Sequence, residues 1–204
     1  WYTGQFYALF FLSITLKLDY LTTYMLIGAS LLIGTPFFIF FGALSDKIGR
    51  LKIILAGCLL GAITYIPLFH GLTHYVNPAL EEFQAKTTIS VTADPAQCNF
   101  HLFVTPRTKF SDCDRVTDFL AKQGLSFTSV DAPAGTPTKV MIGSPEIRAM
   151  DWVANKVQAQ TEAALKAAGY PGPADKTKVN YPMTLLILVI VVLYVTMVYG
   201  PIAA

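Results

Sequence analysis

The chain divides itself by the spacing of its charged residues. Four stretches carry no Asp, Glu, Lys or Arg: residues 1–16, 20–45, 53–80 and 179–204. A helix needs about 20 mostly apolar residues to cross the hydrocarbon core, at roughly 1.5 Å per residue. Three of the stretches are long enough, and they predict membrane helices over 24–44, 51–72 and 182–203. The stretch at 1–16 reads as a further transmembrane helix, cut short at its start. No basic region precedes it, which argues against a signal peptide. The chain opens on Trp1-Tyr2 and stops at Ala204 without a polar flank, so a piece of a longer protein is expected. Buried helices of a large soluble protein are the alternative. Three uncharged runs of this length argue against it.

Between the third and last helices the pattern changes period. Residues 87–92 alternate, with Ile89 and Val91 on one side, and Phe100, Leu102 and Val104 alternate likewise. Residues 127–130 and 140–142 are further short strand candidates. One helix is predicted over 112–123, with Cys113, Val116, Phe119 and Leu120 on its apolar face and Gly124 at its stop. A longer helix is predicted from Ser144 as cap and Pro145 at its first position. Ile147, Met150, Val153, Val157 and Leu165 fit its 3.6 period, and Gly169 suits its end. Pro171-Gly172-Pro173 then opens a tether to Tyr181. The organisation expected is three transmembrane helices over 1–75, a small inserted α+β domain over 76–180, and a fourth transmembrane helix over 181–204.

Composition agrees with a membrane protein. Hydrophobic residues make up 53% and charged residues 14%, where a soluble domain carries about 25% charge. The wealth of Leu, Ile, Phe and Tyr excludes disorder, and a net charge of +2 argues against a nucleic-acid partner. Residues 76–180 hold 11 basic and 11 acidic side chains, and Lys17 cancels Asp19. The whole excess therefore sits in 46–52, where Lys47, Arg50 and Lys52 face Asp46. Basic residues near membrane ends accumulate on the cytoplasmic side. The expected topology is a multi-pass protein of the cytoplasmic (inner) membrane, with that turn inside and residues 76–180 on the external or periplasmic side.

An external domain meets an oxidising compartment, which favours a disulfide between Cys98 and Cys113. Closing a 15-residue loop contributes on the order of 3 kcal/mol; two free buried thiols are the alternative. Cys58 lies in a membrane helix and reads as packing. The sequence has no phosphate loop, no G-x-S-x-G elbow and no paired membrane carboxylate, so neither an enzyme nor a cofactor is expected. His70 and His74 share a helix face, yet zinc takes three or four ligands and no third is fixed by spacing. No metal site is assigned, and His101 reads as a lone strand histidine. Gly57 and Gly61 form a G-x-x-x-G pair that permits close helix approach. Pro36, Pro67 and Pro201 each remove a backbone donor from a membrane helix.

The most informative segment is Gly42-Ala43-Leu44-Ser45-Asp46-Lys47-Ile48-Gly49-Arg50. It joins two uncharged helices. Gly42 allows close helix contact, and Gly49 permits a tight reversal. Asp46 can accept hydrogen bonds from a neighbouring helix N-terminus. Lys47 and Arg50 can pair with acidic groups or lipid phosphates. A plain charged turn that enforces topology is the alternative.

Residues 42–50 resemble the signature loop of the major facilitator superfamily, G-x-L-x-D-x-x-G-R followed by a basic residue. One departure is that Leu51 follows Arg50 and the basic residue falls at Lys52. Trp1-Tyr2-Thr3-Gly4-Gln5-Phe6-Tyr7, Gly34-Thr35-Pro36 and Tyr199-Gly200-Pro201 look like the metabolite:proton symporter branch. The resemblance leaves out residues 76–180, which look like an insertion. It implies a partial major facilitator fold drawn from the C-terminal half, its helices matching seven to ten of twelve; a register on helices one to four is the alternative.

The resemblance implies a secondary active transporter working by alternating access and proton symport. The cargo implied is a small polar metabolite, an organic acid or a compatible solute such as proline or betaine. The partners implied are that metabolite, the lipid bilayer and the missing remainder of the transporter. Gly42, Asp46, Lys47, Gly49 and Arg50 would form the gating loop, with Asp46 and Arg50 locking one state. Tyr2, Gln5 and Tyr7 on the first helix, with Tyr194 and Thr196 on the last, would line the cavity, because such groups hydrogen-bond without burying a charge. Interfacial or packing aromatics are the alternative for Tyr2, Tyr194 and Tyr199. No ionisable group is placed to face the cavity within a predicted span, Asp19 and His70 lying near membrane ends, so a proton-carrying carboxylate is expected in the remainder. The rival function is a membrane-anchored extracytoplasmic binding or sensory protein.

Overall fold

The computed structural model describes residues 2–99, 108–153 and 155–203. Its elements in chain order are α1 (Tyr2–Phe10), which runs on as a π-turn over Phe11–Thr15, then α2 (Tyr20–Ile48), α3 (Arg50–Val76), α4 (Pro78–Lys86) and β1 (Ile89–Ala93). A three-ten turn (Pro95–Gln97) precedes α5 (Asp112–Lys122), β2 (Thr128–Asp131), β3 (Lys139–Ile142), β4 (Glu146–Arg148), α6 (Val157–Ala167) and α7 (Tyr181–Ala203). The chain forms two units, Trp1–Pro78 with Pro173–Ala204, and Ala79–Gly172.

In the helical unit, α2, α3 and α7 are long and apolar enough to cross a membrane. Three span-length helices were expected beside a first one cut short, and three are present among the described residues. The first run yields a helical stretch of only Gly4–Thr15. It closes with a bond from Leu16 N–H to Phe11 O, and Lys17 stops it at φ +52°.

Helix α7 is the centre of this unit. Half of its apolar window is buried, against 22% for α2 and 17% for α3. Small residues let α2 and α3 reach it. A Cβ on Gly34 would collide with Val192, and one on Gly200 would lie 2.9 Å from Phe38 O and 3.2 Å from Gly42 N. Gly57 meets Met197 and the α7 backbone, while Gly61 faces Tyr65 of its own helix. Within the G-x-x-x-G pair, Gly57 alone therefore brings α3 onto α7. Hydroxyls buried in these contacts bond their own helices: Ser30 donates to Ile27 O, Thr184 to Asn180 O and Thr196 to Leu193 O. Such internal pairing is what a hydrocarbon solvent demands. The outer faces expose Met25, Leu32 and Ile39 on α2 and Leu55, Leu59, Ile63 and Ile66 on α3. Water would not tolerate so continuous an apolar face, but lipid solvates it.

One end of the unit is tied by polar bonds. Asn77 Nδ2 donates to Leu16 O at 3.2 Å, and Asn180 N–H donates to Tyr75 O at 2.8 Å. Ala174 N–H donates to Lys17 O at 3.3 Å, and Lys176 pairs with Asp19 at 3.0 Å. The Lys176 ammonium, with Thr22 N–H, holds the Asp19 carboxyl below its ordinary 3.8. These bonds join residues 173–180 to the helices, so the boundaries fall at Pro78 and Pro173 rather than at 76 and 180. The chain leaves and re-enters the helical unit at the end opposite the 46–52 turn.

The second unit is an α+β sandwich of one sheet and its helices. Strand order is β2-β1-β3-β4, with β1–β2 parallel and the other two pairs antiparallel. Ile89, Val91, Ala93, Val140, Ile142 and Ile147 are buried on one face. Helix α5 packs on β1 and α6 on β4, adding Val116, Phe119, Leu120, Val157 and Leu165 to the core.

The helix expected from Ser144 begins only at Val157, and it ends at Ala167, just before Gly169; its expected first part is overturned. Gly143 at φ +63° turns the chain, and Ile142 N–H bonds Pro145 O. Residues 146–148 then pair with β3 as a strand, Ile147 opposite Val140, with Lys139 on Glu146 at 3.0 Å. Met150 and Val153 are exposed, so the apparent 3.6 period was a coincidence of strand and helix residues. The strand expected at Phe100, Leu102 and Val104, and His101 with it, lies outside the described residues.

Candidate functional site

The turn of residues 42–50 is a junction with a single residue between helices. Helix α2 ends at Ile48, α3 begins at Arg50, and Gly49 between them sits at φ +99°. An L side chain is strained there. Gly49 N–H bonds Ser45 O at 2.9 Å, closing α2. Asp46 pairs with Arg50 at 3.4 Å across the junction, both well exposed. This partner differs from the expected helix N-terminus: Arg50, four residues on, is the cation within reach. An exposed pair of this kind contributes about 0–1 kcal/mol, so its value lies in geometry rather than stability. Lys47 is exposed, and Gly42 is buried against Gly200.

The cavity candidates separate. Gln5, Ala8 and Leu12 share the buried stripe of the first helical stretch, as i, i+3, i+7 spacing requires. Gln5 is 6% exposed, and among the described residues neither its Nε2 nor its Oε1 has a hydrogen-bond partner. Around Tyr194 lies a second group. Thr64 Oγ1 donates to Leu60 O at 2.7 Å and so accepts from Tyr194 Oη at 3.1 Å, and the Tyr65 and Tyr194 rings are 6.1 Å apart. The Tyr65 hydroxyl comes within 3.9 Å of where a Cβ on Gly4 would stand, so α1 approaches this group directly. Phe69 stacks edge-on against Tyr7 and Phe11 at 5.1 and 4.9 Å, and lies 6.4 Å from Tyr65. Tyr7 itself is 56% exposed. Thr196, two positions from Tyr194 and so about 200° round the helix, is fully buried and bonded to Leu193 O. The Tyr2 side chain lies outside the described ones.

Thr64, Tyr65 and Phe69 were missed by the sequence reading, which named cavity candidates on the first and last helices only. The i, i+4 spacing of Tyr65 and Phe69 was the available signal. Chemically the group offers hydroxyls, and Gln5 an amide, in an apolar surround. Such groups can hold a polar molecule without burying a fixed charge.

In the α+β unit, Cys98 and Cys113 are joined by a disulfide, with Cα atoms 5.2 Å apart. Cys58 is free and exposed on α3. The bond meets the start of α5, where Ser111 and Asp114 form a reciprocal capping box. Asp114 also accepts Asn99 N–H at 2.7 Å. Tyr170 donates to Gln123 O at 2.7 Å, and burial pushes its hydroxyl up to about 12. Among the described residues no group of three or more His, Cys, Asp or Glu is placed to hold a metal.

Asp94 accepts Gly135 N–H at 2.8 Å and Ala96 N–H at 2.9 Å, which holds its carboxyl below the ordinary 3.8. A lowered folded pKa stabilises above the unfolded value and is lost as pH falls through the folded one. The melting temperature of this unit is therefore expected to fall below about pH 4, and Asp94→Asn to lower it at neutral pH and flatten that acid limb. Identical pH–melting curves for parent and variant would remove Asp94 from this role.

Compared with models of protein families, with curated proteins and with solved structures, the chain matches none.

Proposed function

We propose that the chain is part of a secondary active transporter that moves a small polar metabolite across the cytoplasmic membrane by proton symport and alternating access. The observation that carries this is the segment Gly42–Arg50, which resembles the major facilitator signature loop and joins two span-length helices through Gly49 alone. In this reading the 46–52 turn faces the cytoplasm and the α+β unit lies outside. Asp46 and Arg50 hold one state of the rocking cycle. Gln5, Tyr7 and Tyr194 bound the path of the metabolite, an organic acid or a compatible solute such as proline or betaine. Thr64 and Tyr65 join them as hydroxyl neighbours.

Asp46→Asn, in the native membrane protein that carries this segment, tests the gating role. Proton-driven uptake of organic acids, proline and betaine is expected to slow roughly tenfold, with unchanged insertion in the membrane. Uptake at the parent rate from a well-inserted variant defeats the assignment.

A specific observation favours the rival, a membrane-anchored binding or sensory protein: the α+β unit has its own disulfide, its own core and a groove. Binding by the α+β unit with no uptake of any of these solutes by the parent favours that rival.

A further inference from the structure

A groove of about 360 Å³ opens on the α+β unit between α5 and the turn before α6, with Phe110, Arg115, Phe119, Lys122, Trp152 and Gln158 in its lining. Its floor is aromatic, the Phe119 and Trp152 rings lying 5.9 Å apart and inclined at 57°. Trp152 is held there by more than the ring contact. The two carboxylate oxygens of Asp112 accept Asp151 N–H at 2.9 Å and Trp152 N–H at 3.1 Å. Asp112 is the first residue of α5. The helix that carries Arg115 and Phe119 thus also fixes the turn that carries Trp152. Asp151 sits at φ +52°, a conformation that a non-glycine residue keeps only when its surroundings impose it.

The charges of the groove are uneven. Lys122 engages Asp118 at 2.7 Å, which leaves that pair neutral. Arg115 is partly buried in the lining, and no ion pair engages it among the described residues. A guanidinium presents a planar fork of donors matched to a carboxylate. Beside it, two rings offer an apolar wall of a size suited to a small molecule.

We propose that this groove binds a small organic anion, a carboxylate carried on a flat apolar body such as an aromatic acid. The carboxylate meets Arg115, and the body lies against Phe119 and Trp152. This does not rest on transport, because binding is read without any flux.

These 204 residues contain two tryptophans, Trp1 and Trp152, so in this stretch of chain Trp1→Phe leaves Trp152 as the sole tryptophan emitter. In detergent or nanodiscs, benzoate is titrated against this protein, with benzamide as its neutral counterpart. A saturable change in Trp152 emission is expected for benzoate, with binding at least ~10-fold weaker for benzamide and for Arg115→Gln. Arg115→Lys, which keeps the charge but loses the fork, is expected to bind with intermediate strength. No saturable response to benzoate, or equal binding of benzoate and benzamide by the unsubstituted groove, overturns the proposal without recourse to any Arg115 variant. Full benzoate affinity in a folded Arg115→Gln protein overturns it as well. Uptake measurements have no bearing on either result.

Discussion

A Gln5→Leu protein is expected to melt higher than its parent and to lose uptake. Gln5 lies on the stripe that packs α1 into the helical unit, beside positions held by Ala8 and Leu12. Its amide is buried with neither polar atom paired among the described residues. Leaving such a group without a partner costs about 1–3 kcal/mol, and leucine removes that cost at similar volume. A residue that lowers stability in a buried stripe is retained for a reason other than packing. In the transport reading that reason is the metabolite, which supplies the missing partner. Thermal melting in detergent and uptake by the same preparation check both halves. Higher stability with normal uptake would take Gln5 out of the path, and lower stability would show that the amide has a structural partner.

The second large effect belongs to the α+β unit. Cys113→Ser is expected to cost on the order of 3 kcal/mol, the loop-closure value for about 15 residues. The disulfide ties the segment after β1 to the first turn of α5, the turn that also carries Asp112 and the Ser111–Asp114 box. Reductant is expected to shift the parent to the melting temperature of the variant, while Cys58→Ser leaves it unchanged. Melting of Cys113→Ser at the parent temperature would show that the bond contributes nothing to this fold.

The three span-length helices were legible because nothing interrupts their apolar runs. Their ends were placed short. Asp19 caps α2 with its carboxylate, and Lys47 and Arg50 sit in terminal turns where charge meets water, so the helices run further than the uncharged core suggests. The helix start expected at Ser144 failed for a local reason. Ser-Pro after glycine signals a helix start and a hairpin turn equally well, and Ile147 fits both a period of 3.6 and a period of 2. Cross-strand pairing with Val140 decides between them, and pairing is not local information. Tyr194 was legible as a polar side chain on an apolar helix. Thr64 and Tyr65 were not, because their approach to α7 depends on Gly57 fitting against Met197. The groove beside Arg115 was hidden for the same reason: Asp112 fixes Trp152 from 40 residues away.

Both the transport reading and the disulfide depend on sidedness, with the 46–52 turn inside the cell and the α+β unit outside. Labelling of intact cells with a membrane-impermeant maleimide measures it, in a Cys58→Ala background where Cys98 and Cys113 are bonded and inert. Two probes suffice: Lys166→Cys on exposed α6 and Ile48→Cys at the exposed end of α2. Lys166→Cys is expected to label in intact cells, and Ile48→Cys only after permeabilisation. Labelling of Ile48→Cys in intact cells with protection of Lys166→Cys would contradict the topology, and with it the gating role of Asp46 and the oxidised state of the external domain.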